Sequence, residues 1–274
     1  MNTVANVSAL AGQTIKGYEL EKLVGQGGFG AVYKALQPAI KREVAIKVIL
    51  PEFVNDPDFI RRFEAEAQLV AHLESLHIVP LFDYWRDQDG AFLVMRWLRG
   101  GTLQDLIEKG HWPLNDVARV VDQIASALEV AHRNGVIHRD LKPANILLDE
   151  DRNCYLADFG IAKDLSHFTD FSNIEETGIM RSPDYISTEQ IMMQPVSAQT
   201  DIYSFGLMLY KILTGRKPFA GSDMSTLISK HLMEDLPHLS EVRPDLPAEL
   251  NQVIQIATHK DPAQRYESAV AVAN

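Results

Sequence analysis

Between Tyr18 and Val48 apolar and polar residues alternate in short runs, first Leu20-Glu21-Lys22-Leu23-Val24 and, past a glycine cluster, Ala31-Val32-Tyr33-Lys34-Ala35, then Val44 to Ile49. That two-residue period predicts a small antiparallel sheet. From about Gly101 the period lengthens. Val117, Val120, Val121, Ile124, Leu128 and Ala131 fall on one helical face, and Gly135 is placed to close the helix. The stretch from Ile202 to Leu213 is apolar nearly all round, which predicts a helix inside a core rather than on a surface. Earlier, Asp56-Pro57-Asp58 offers an N-cap followed by proline at the first helical position. Along the helix begun there, Phe59, Phe63, Glu66 and Val70 recur at spacings of four, three and four, so Glu66 lies on the inward stripe and Glu64 off it. A carboxylate on an apolar stripe needs a partner. A strand-rich first part followed by a helical remainder is an α+β arrangement. Residues 1 to 16 are small and polar without a period, and read as a flexible lead-in or a strap over the surface.

Composition narrows the classes. With 274 residues and 46% hydrophobic content the chain can bury a large core. A formal charge of -11 argues against a nucleic-acid face, because phosphate backbones attract clustered lysine and arginine. The one cysteine, Cys154, lies in an apolar stretch, reads as a buried, inert thiol, and fits a reducing cytoplasm. The first residues lack a basic segment followed by an apolar core, and no apolar span reaches about 18 residues, so the expectation is a soluble chain with no membrane segment.

The chemistry is concentrated in His138-Arg139-Asp140-Leu141-Lys142-Pro143-Ala144-Asn145, followed thirteen residues past Asn145 by Asp158-Phe159-Gly160. One carboxylate is placed to meet a hydroxyl proton, and an amide with a second carboxylate to hold metal, as phosphoryl transfer from a magnesium nucleotide requires. Upstream, Gly25-Gln26-Gly27-Gly28-Phe29-Gly30-Ala31-Val32 fits GxGxxGxV. A dinucleotide site needs a helix directly after such glycines, but here Val32 onward continues as a strand, so the segment reads as a hairpin whose amides approach phosphates. In Val44-Ala45-Ile46-Lys47-Val48 the alternation puts Ala45 and Lys47 on one face.

These motifs, in this order over nearly the whole chain, resemble the eukaryotic-like (Hanks-type) serine/threonine protein kinases, most closely the bacterial branch. The resemblance implies a bilobal fold: an extension at 1–16, a small antiparallel-sheet lobe with one key helix at 17–97, and a larger mainly helical lobe at 98–274, with ATP and Mg²⁺, or Mn²⁺ in its place, in the cleft. Val24, Gly25, Gln26, Gly27, Gly28, Phe29, Gly30, Val32, Ala45 and Leu147 would surround the nucleotide. Met95 would be the gatekeeper and Arg96, Trp97 and Leu98 the hinge, with Arg96 standing where many relatives carry an acid. Lys47 would reach the α and β phosphates and pair with Glu66. Asp140 would orient the substrate hydroxyl, Lys142 would neutralise the transferring phosphoryl group, and Asn145 and Asp158 would bind metal. The lysine at 142 resembles the serine/threonine class.

The resemblance extends to regulation. Ser166, Thr169, Ser172 and Thr177 lie between Asp158 and Glu189; Thr169, Ser172 and Thr177 are the candidate phosphosites, with Arg139 as phosphate partner and with Glu175 and Glu176 as acids in place of phosphate. Ser182 would contact the catalytic Asp and Lys, whereas Arg181 replaces a glycine and Thr188 a proline of the family pattern. Glu189 would pair with Arg265. Asp201 would brace the catalytic loop and also serve as an N-cap. Protein substrates and autophosphorylation are implied, and a homodimer through the small lobe follows by analogy. A nucleotide-binding pseudokinase scaffold and a small-molecule kinase of the same fold are the alternatives.

Overall fold

The computed structural model describes residues 10–27, 30–49, 57–87, 90–110, 112–159, 183–219, 221 and 223–274. The described residues form two compact units, one drawn from 1–73 and 79–97 and the other from 74–78, 98–160 and 181–274.

The first unit contains β1 (Thr14–Ile15), β2 (Tyr18–Gly27), β3 (Gly30–Gln37), β4 (Arg42–Ile49), α1 (Pro57–Ala71), β5 (Leu81–Asp87) and β6 (Gly90–Arg96). Its strands make one antiparallel six-stranded sheet in the order β1-β2-β3-β4-β6-β5. Alternation assigns the two faces as expected. Val44, Ile46 and Val48 join Leu20, Tyr33, Phe92 and Val94 in one core, where Trp85 stacks between Tyr18 and Phe92. Ile49 and Leu93, from the opposite face, meet Phe59, Phe63 and Ala67 of α1. Burying such side chains contributes roughly 1.5–3 kcal/mol each, so each face of the sheet has its own reason to stay in register. The strap reading holds for Leu10 to Ile15: Leu10 and Ile15 pack on the first core, and the Leu10 amide donates to the Tyr33 hydroxyl at 3.3 Å. Within α1, Glu66 is half-buried on the Phe63–Ala67 side, while Glu64 is exposed and, rather than simply solvated, pairs with Arg86 at 3.8 Å.

The second unit contains α2 (Leu103–Ile107), α3 (Leu114–Arg133), a hairpin of β7 (Ile146–Leu148) and β8 (Cys154–Leu156), then α4 (Thr188–Ile191), α5 (Ala198–Thr214), α6 (Met224–Met233), α7 (Leu239–Val242), α8 (Glu249–Ala257) and α9 (Ala269–Ala273). All six apolar positions read as the stripe of α3 are buried. Beyond its end Gly135 takes the left-handed conformation (φ +73°), and the Gly135 and Val136 amides donate to the carbonyls of His132 and Ala131 at 3.0 and 2.9 Å. These paired bonds satisfy carbonyls the helix leaves open. Helix α5 is buried at every position from Thr200 to Thr214. It lies close to α8 because Gly206 has no Cβ; one there would sit 2.7 Å from Thr258 Cγ2. Among the described residues no helix is long and apolar enough to cross a membrane.

Candidate active site

The catalytic-loop segment is built outward from α5. Asp201, fully buried, accepts three hydrogen bonds: its Oδ2 from the His138 amide at 2.8 Å and from His132 Nε2 at 2.7 Å, and its Oδ1 from the Arg139 amide at 2.8 Å. Arg139 is held at φ +64°, a conformation costly for a side chain with a Cβ. The carboxylate therefore fixes a loop shape that its own residues do not favour. The N-cap role expected of Asp201 is not observed. The cap is Ser197, whose amide donates to Thr200 Oγ1 at 3.1 Å, so the helix begins earlier and Asp201 sits in its first turn.

His138 ties this loop to the Asp158-Phe159 segment. Its Nδ1 accepts the Asp140 amide at 3.3 Å and its Nε2 donates to the Ala157 carbonyl at 2.8 Å, the pattern of a neutral imidazole protonated at Nε2. The ring centroid lies 4.9 Å from that of Phe159. The Ala157 amide donates to the Asn145 carbonyl at 2.9 Å, extending the β7–β8 ladder, so Asn145 and Asp158 stand at the same end of that hairpin. Asp158 is also left-handed, at φ +59°. At the loop itself Asp140 Oδ2 lies 3.1 Å from Lys142 Nζ and accepts from Asn145 Nδ2 at 2.8 Å, and the same Nδ2 donates to the Asp140 carbonyl at 2.8 Å. Asp140, Lys142 and Asn145 are thus brought together, with the amide oxygen of Asn145 turned away from the carboxylate.

In the sheet unit, register decides which side chains share a face. Val32 pairs with Lys47, Lys47 with Leu93 and Ala45 with Met95, so Val32, Ala45, Lys47 and Met95 project from one side. The same side, farther along β4, carries Ile49 against α1. The glycine hairpin continues the ladder through Gly25–Val32, Gln26–Ala31 and Gly27–Gly30, with Val24 half exposed at a register shift. Its glycines differ in kind. A Cβ at Gly30 would lie 1.9 Å from the Val48 carbonyl oxygen, so the fold itself demands glycine there; at Gly25 and Gly27 a Cβ would meet nothing within 4 Å among the described residues. Arg96 is exposed, its amide bound to the Pro80 carbonyl at 3.1 Å, and Trp97 is half-buried. In the helical unit Leu98 is buried and Leu147 half-buried, bridged to Thr102. A Cβ at Gly100 would lie 2.2 Å from the Asp149 carbonyl oxygen, so this approach of backbone to hairpin also requires glycine.

The run from Ser187 to Gln190 is anchored by a buried ion pair. Arg265 Nη1 and Nη2 meet Glu189 Oε1 and Oε2 at 2.9 and 3.0 Å, a two-point contact. Arg265 Nε donates to the His259 carbonyl at 2.7 Å and Nη1 also to that of Gln199 at 2.8 Å. Burial works against the Glu189 carboxylate, but hydrogen bonds and charge from Arg265, together with Thr200, outweigh it and hold the group below the usual glutamate range. Thr188 belongs to the same network: its hydroxyl donates to the Lys260 carbonyl at 2.8 Å and accepts from Arg265 Nη2 at 3.0 Å. Gln190 adds a link from α4 to the catalytic loop, its Nε2 donating to the Arg139 carbonyl at 2.9 Å while its Oε1 takes the Ser187 amide at 3.2 Å. Sequence reasoning missed His132, Thr188 and Gln190 as supports of this assembly. Of the three only Gln190 left a local trace, the Ser-x-x-Gln spacing of a capping box.

Gly28, Phe29, Asp56, Ser166, Thr169, Ser172, Glu175, Glu176, Thr177, Arg181 and Ser182 lie outside the described residues. Cys154 is buried, and burial pushes its thiol up to about 12, as expected of an inert cysteine.

The family model for the protein kinase domain matches residues 18–274. The chain belongs to the protein kinase family. This kinase domain is 39% identical over 254 residues to a probable serine/threonine-protein kinase of Clostridium perfringens, covering 92% of the chain and 36% of that protein. It is 38% identical over 264 residues to the serine/threonine-protein kinase PrkC of Bacillus subtilis, covering 95% of the chain and 40% of that protein. The chain thus spans well under half the length of these two relatives. Among solved structures, the PknI kinase domain of Mycobacterium tuberculosis superposes with a TM-score of 0.77 at 28% identity, covering 96% of this chain and 95% of that one. The antiparallel-sheet unit and the helical unit are the two lobes of the kinase fold.

Proposed function

We propose that this domain transfers the γ-phosphate of ATP to serine and threonine hydroxyls of proteins, its own included. The carrying observation is the meeting of Asp140, Lys142 and Asn145 on a loop whose bend Asp201 imposes. Asp140 orients the substrate hydroxyl and accepts its proton, and Lys142, 3.1 Å from it, offsets charge on the transferring phosphoryl group. Amide and carboxylate oxygens are the hard donors magnesium takes, so Asn145 and Asp158 suit that ion, which when bound neutralises phosphate charge. Lys47 takes the α and β phosphates and pairs with Glu66, a reading supported by the shared α1 side of the sheet. In the sheet unit Val32, Ala45 and Met95 contact the adenine, Arg96 and Trp97 supply hinge backbone, and Val24 flanks the glycine hairpin; in the helical unit Leu98 and Leu147 are the adenine contacts. Among the described residues Gly25 and Gly27 have room for a Cβ, and a phosphate approaching their amides supplies a reason for glycine that packing does not.

The partners are protein substrates, as the names of the relatives state for those proteins. Phosphorylation of Thr169, Ser172 or Thr177, or the acids Glu175 and Glu176 in place of phosphate, sets the activity of the loop. Unchanged activity after phosphatase treatment supports the acids; loss of most activity supports phosphate.

The deciding experiment is transfer from labelled ATP with Mg²⁺, to the protein itself and to a generic protein substrate. Asp140→Asn is expected to lower the rate by at least about a hundredfold with nucleotide binding retained. Equal labelling by the variant, or label in lipid or metabolite alone, overturns the proposal.

A further inference from the structure

A second site lies on the helical unit, away from the Asp140 loop in sequence and built from other elements. Leu106, Lys109, Gly110, Trp112, Pro113, Asp116, Arg119, Val120 and Arg152 enclose a surface cavity of about 200 Å³. Its floor is apolar, with Val120 buried and the Trp112 indole fixed by donation from Nε1 to the Leu106 carbonyl at 3.3 Å. Its rim is cationic. Elsewhere on this unit two exposed arginines are neutralised, Arg99 by Glu150 and Arg133 by Glu129, each at 3.4 Å. Arg119, Arg152 and Asp116 enter no ion pair among the described residues, and Lys109 enters none either, although its charge acts on the nearby Asp105 carboxylate. Three cations less one carboxylate leave a lining charge of +2 in a chain whose net charge is -11.

The backbone adds an independent pointer. Arg152 occupies the β7–β8 turn at φ +61°, where glycine or asparagine is cheaper, its amide held by the Asp149 carbonyl at 3.1 Å. The turn carries strain and places Arg152 in the cavity lining.

We propose that this cavity docks an acidic segment of a partner protein, seating one large apolar side chain on Trp112 and Val120 while flanking carboxylates meet Lys109, Arg119 and Arg152. The size supports a single side chain rather than a drug-sized ligand, which needs roughly 300 Å³ or more. The charge complementarity selects acidic flanks, since elsewhere the surface of so acidic a chain repels them. Docking here needs no phosphoryl transfer, so it stands or falls apart from the proposed activity.

The test is fluorescence polarisation of a labelled hexapeptide, Glu-Asp-Leu-Glu-Phe-Asp, against the same peptide with lysine for every acid. Wild-type protein is expected to bind the acidic peptide saturably, and more weakly as salt rises. Arg119→Glu with Arg152→Glu should weaken binding at least about tenfold, with labelling of a short generic peptide unchanged. Arg152→Gly is the second variant: it relieves the left-handed strain, so its melting temperature should not fall, yet binding should weaken several-fold. No saturable binding by wild type, equal affinity in both variants, or displacement by millimolar inorganic phosphate as complete as by unlabelled peptide overturns the proposal.

Discussion

Thr188 stands where kinases of this pattern carry proline, and its hydroxyl replaces what the ring would have contributed with two hydrogen bonds inside the Glu189–Arg265 network. Thr188→Val keeps the shape but leaves the Lys260 carbonyl and one Arg265 proton without that partner. Urea unfolding should show a loss of about 1–2 kcal/mol. Arg265→Met strands the buried Glu189 carboxylate, with an expected loss of roughly 3–5 kcal/mol by the same measurement. The pair also sets a pH dependence. Because the folded protein holds Glu189 below its unfolded value of about 4.3, its contribution is complete above that pH and fades as pH falls toward the folded value. Stability measured between pH 6 and 3 should therefore drop more steeply in wild type than in Glu189→Gln, which has no such group to protonate.

At the scale of elements, Gly27 and Gly30 of the β2–β3 hairpin separate folding from binding. Gly30→Ala forces a Cβ to 1.9 Å from the Val48 carbonyl oxygen and should unfold or severely destabilise the sheet unit, seen as lost soluble protein or a collapsed melting temperature. Gly27→Ala meets nothing among the described residues and should leave melting unchanged while raising the KM for ATP roughly fivefold. Gly135→Ala places a Cβ in the left-handed position after α3 and should cost about 1 kcal/mol in urea unfolding. Legibility followed from periodicity. The α3 stripe was readable because the helix buries one face, so the period of burial is the period of the element; β4 is buried on both faces, and its alternation was readable through the small Ala45 and the half-buried Lys47 between Val44, Ile46 and Val48. Strand β5 was not, since it carries a register shift between Leu81 and Asp83 and exposes Phe82 beside Asp83, which erases the two-residue pattern. The Asp140 carboxylate and Asn145 amide, which the structure brings together, stood close in sequence as a local motif. Their supports, His132 near the end of one helix and Gln190 on another, were not, because each acts across a long stretch of chain: 69 residues to Asp201 and 51 to Arg139. The start of α5 was misplaced for a related reason: Asp201 is committed to the loop, and the capping falls to Ser197 and Thr200.

For the molecule as a whole, the part of the loop proposed to do chemistry is bonded to its most enclosed helix. The His138 and Arg139 amides donate to a carboxylate with no exposed surface, on a helix buried from Thr200 to Thr214. Freeing those amides requires opening the core that encloses α5, so local fluctuation cannot release them. Their deuterium exchange should fall in the slowest class, with an opening free energy equal to that of global unfolding. Amides of the exposed glycine hairpin should exchange orders of magnitude faster. On heating, then, this loop should not loosen ahead of the rest: loss of turnover and loss of the native state should share one temperature, and a preparation that still holds its fold should still hold its catalytic geometry.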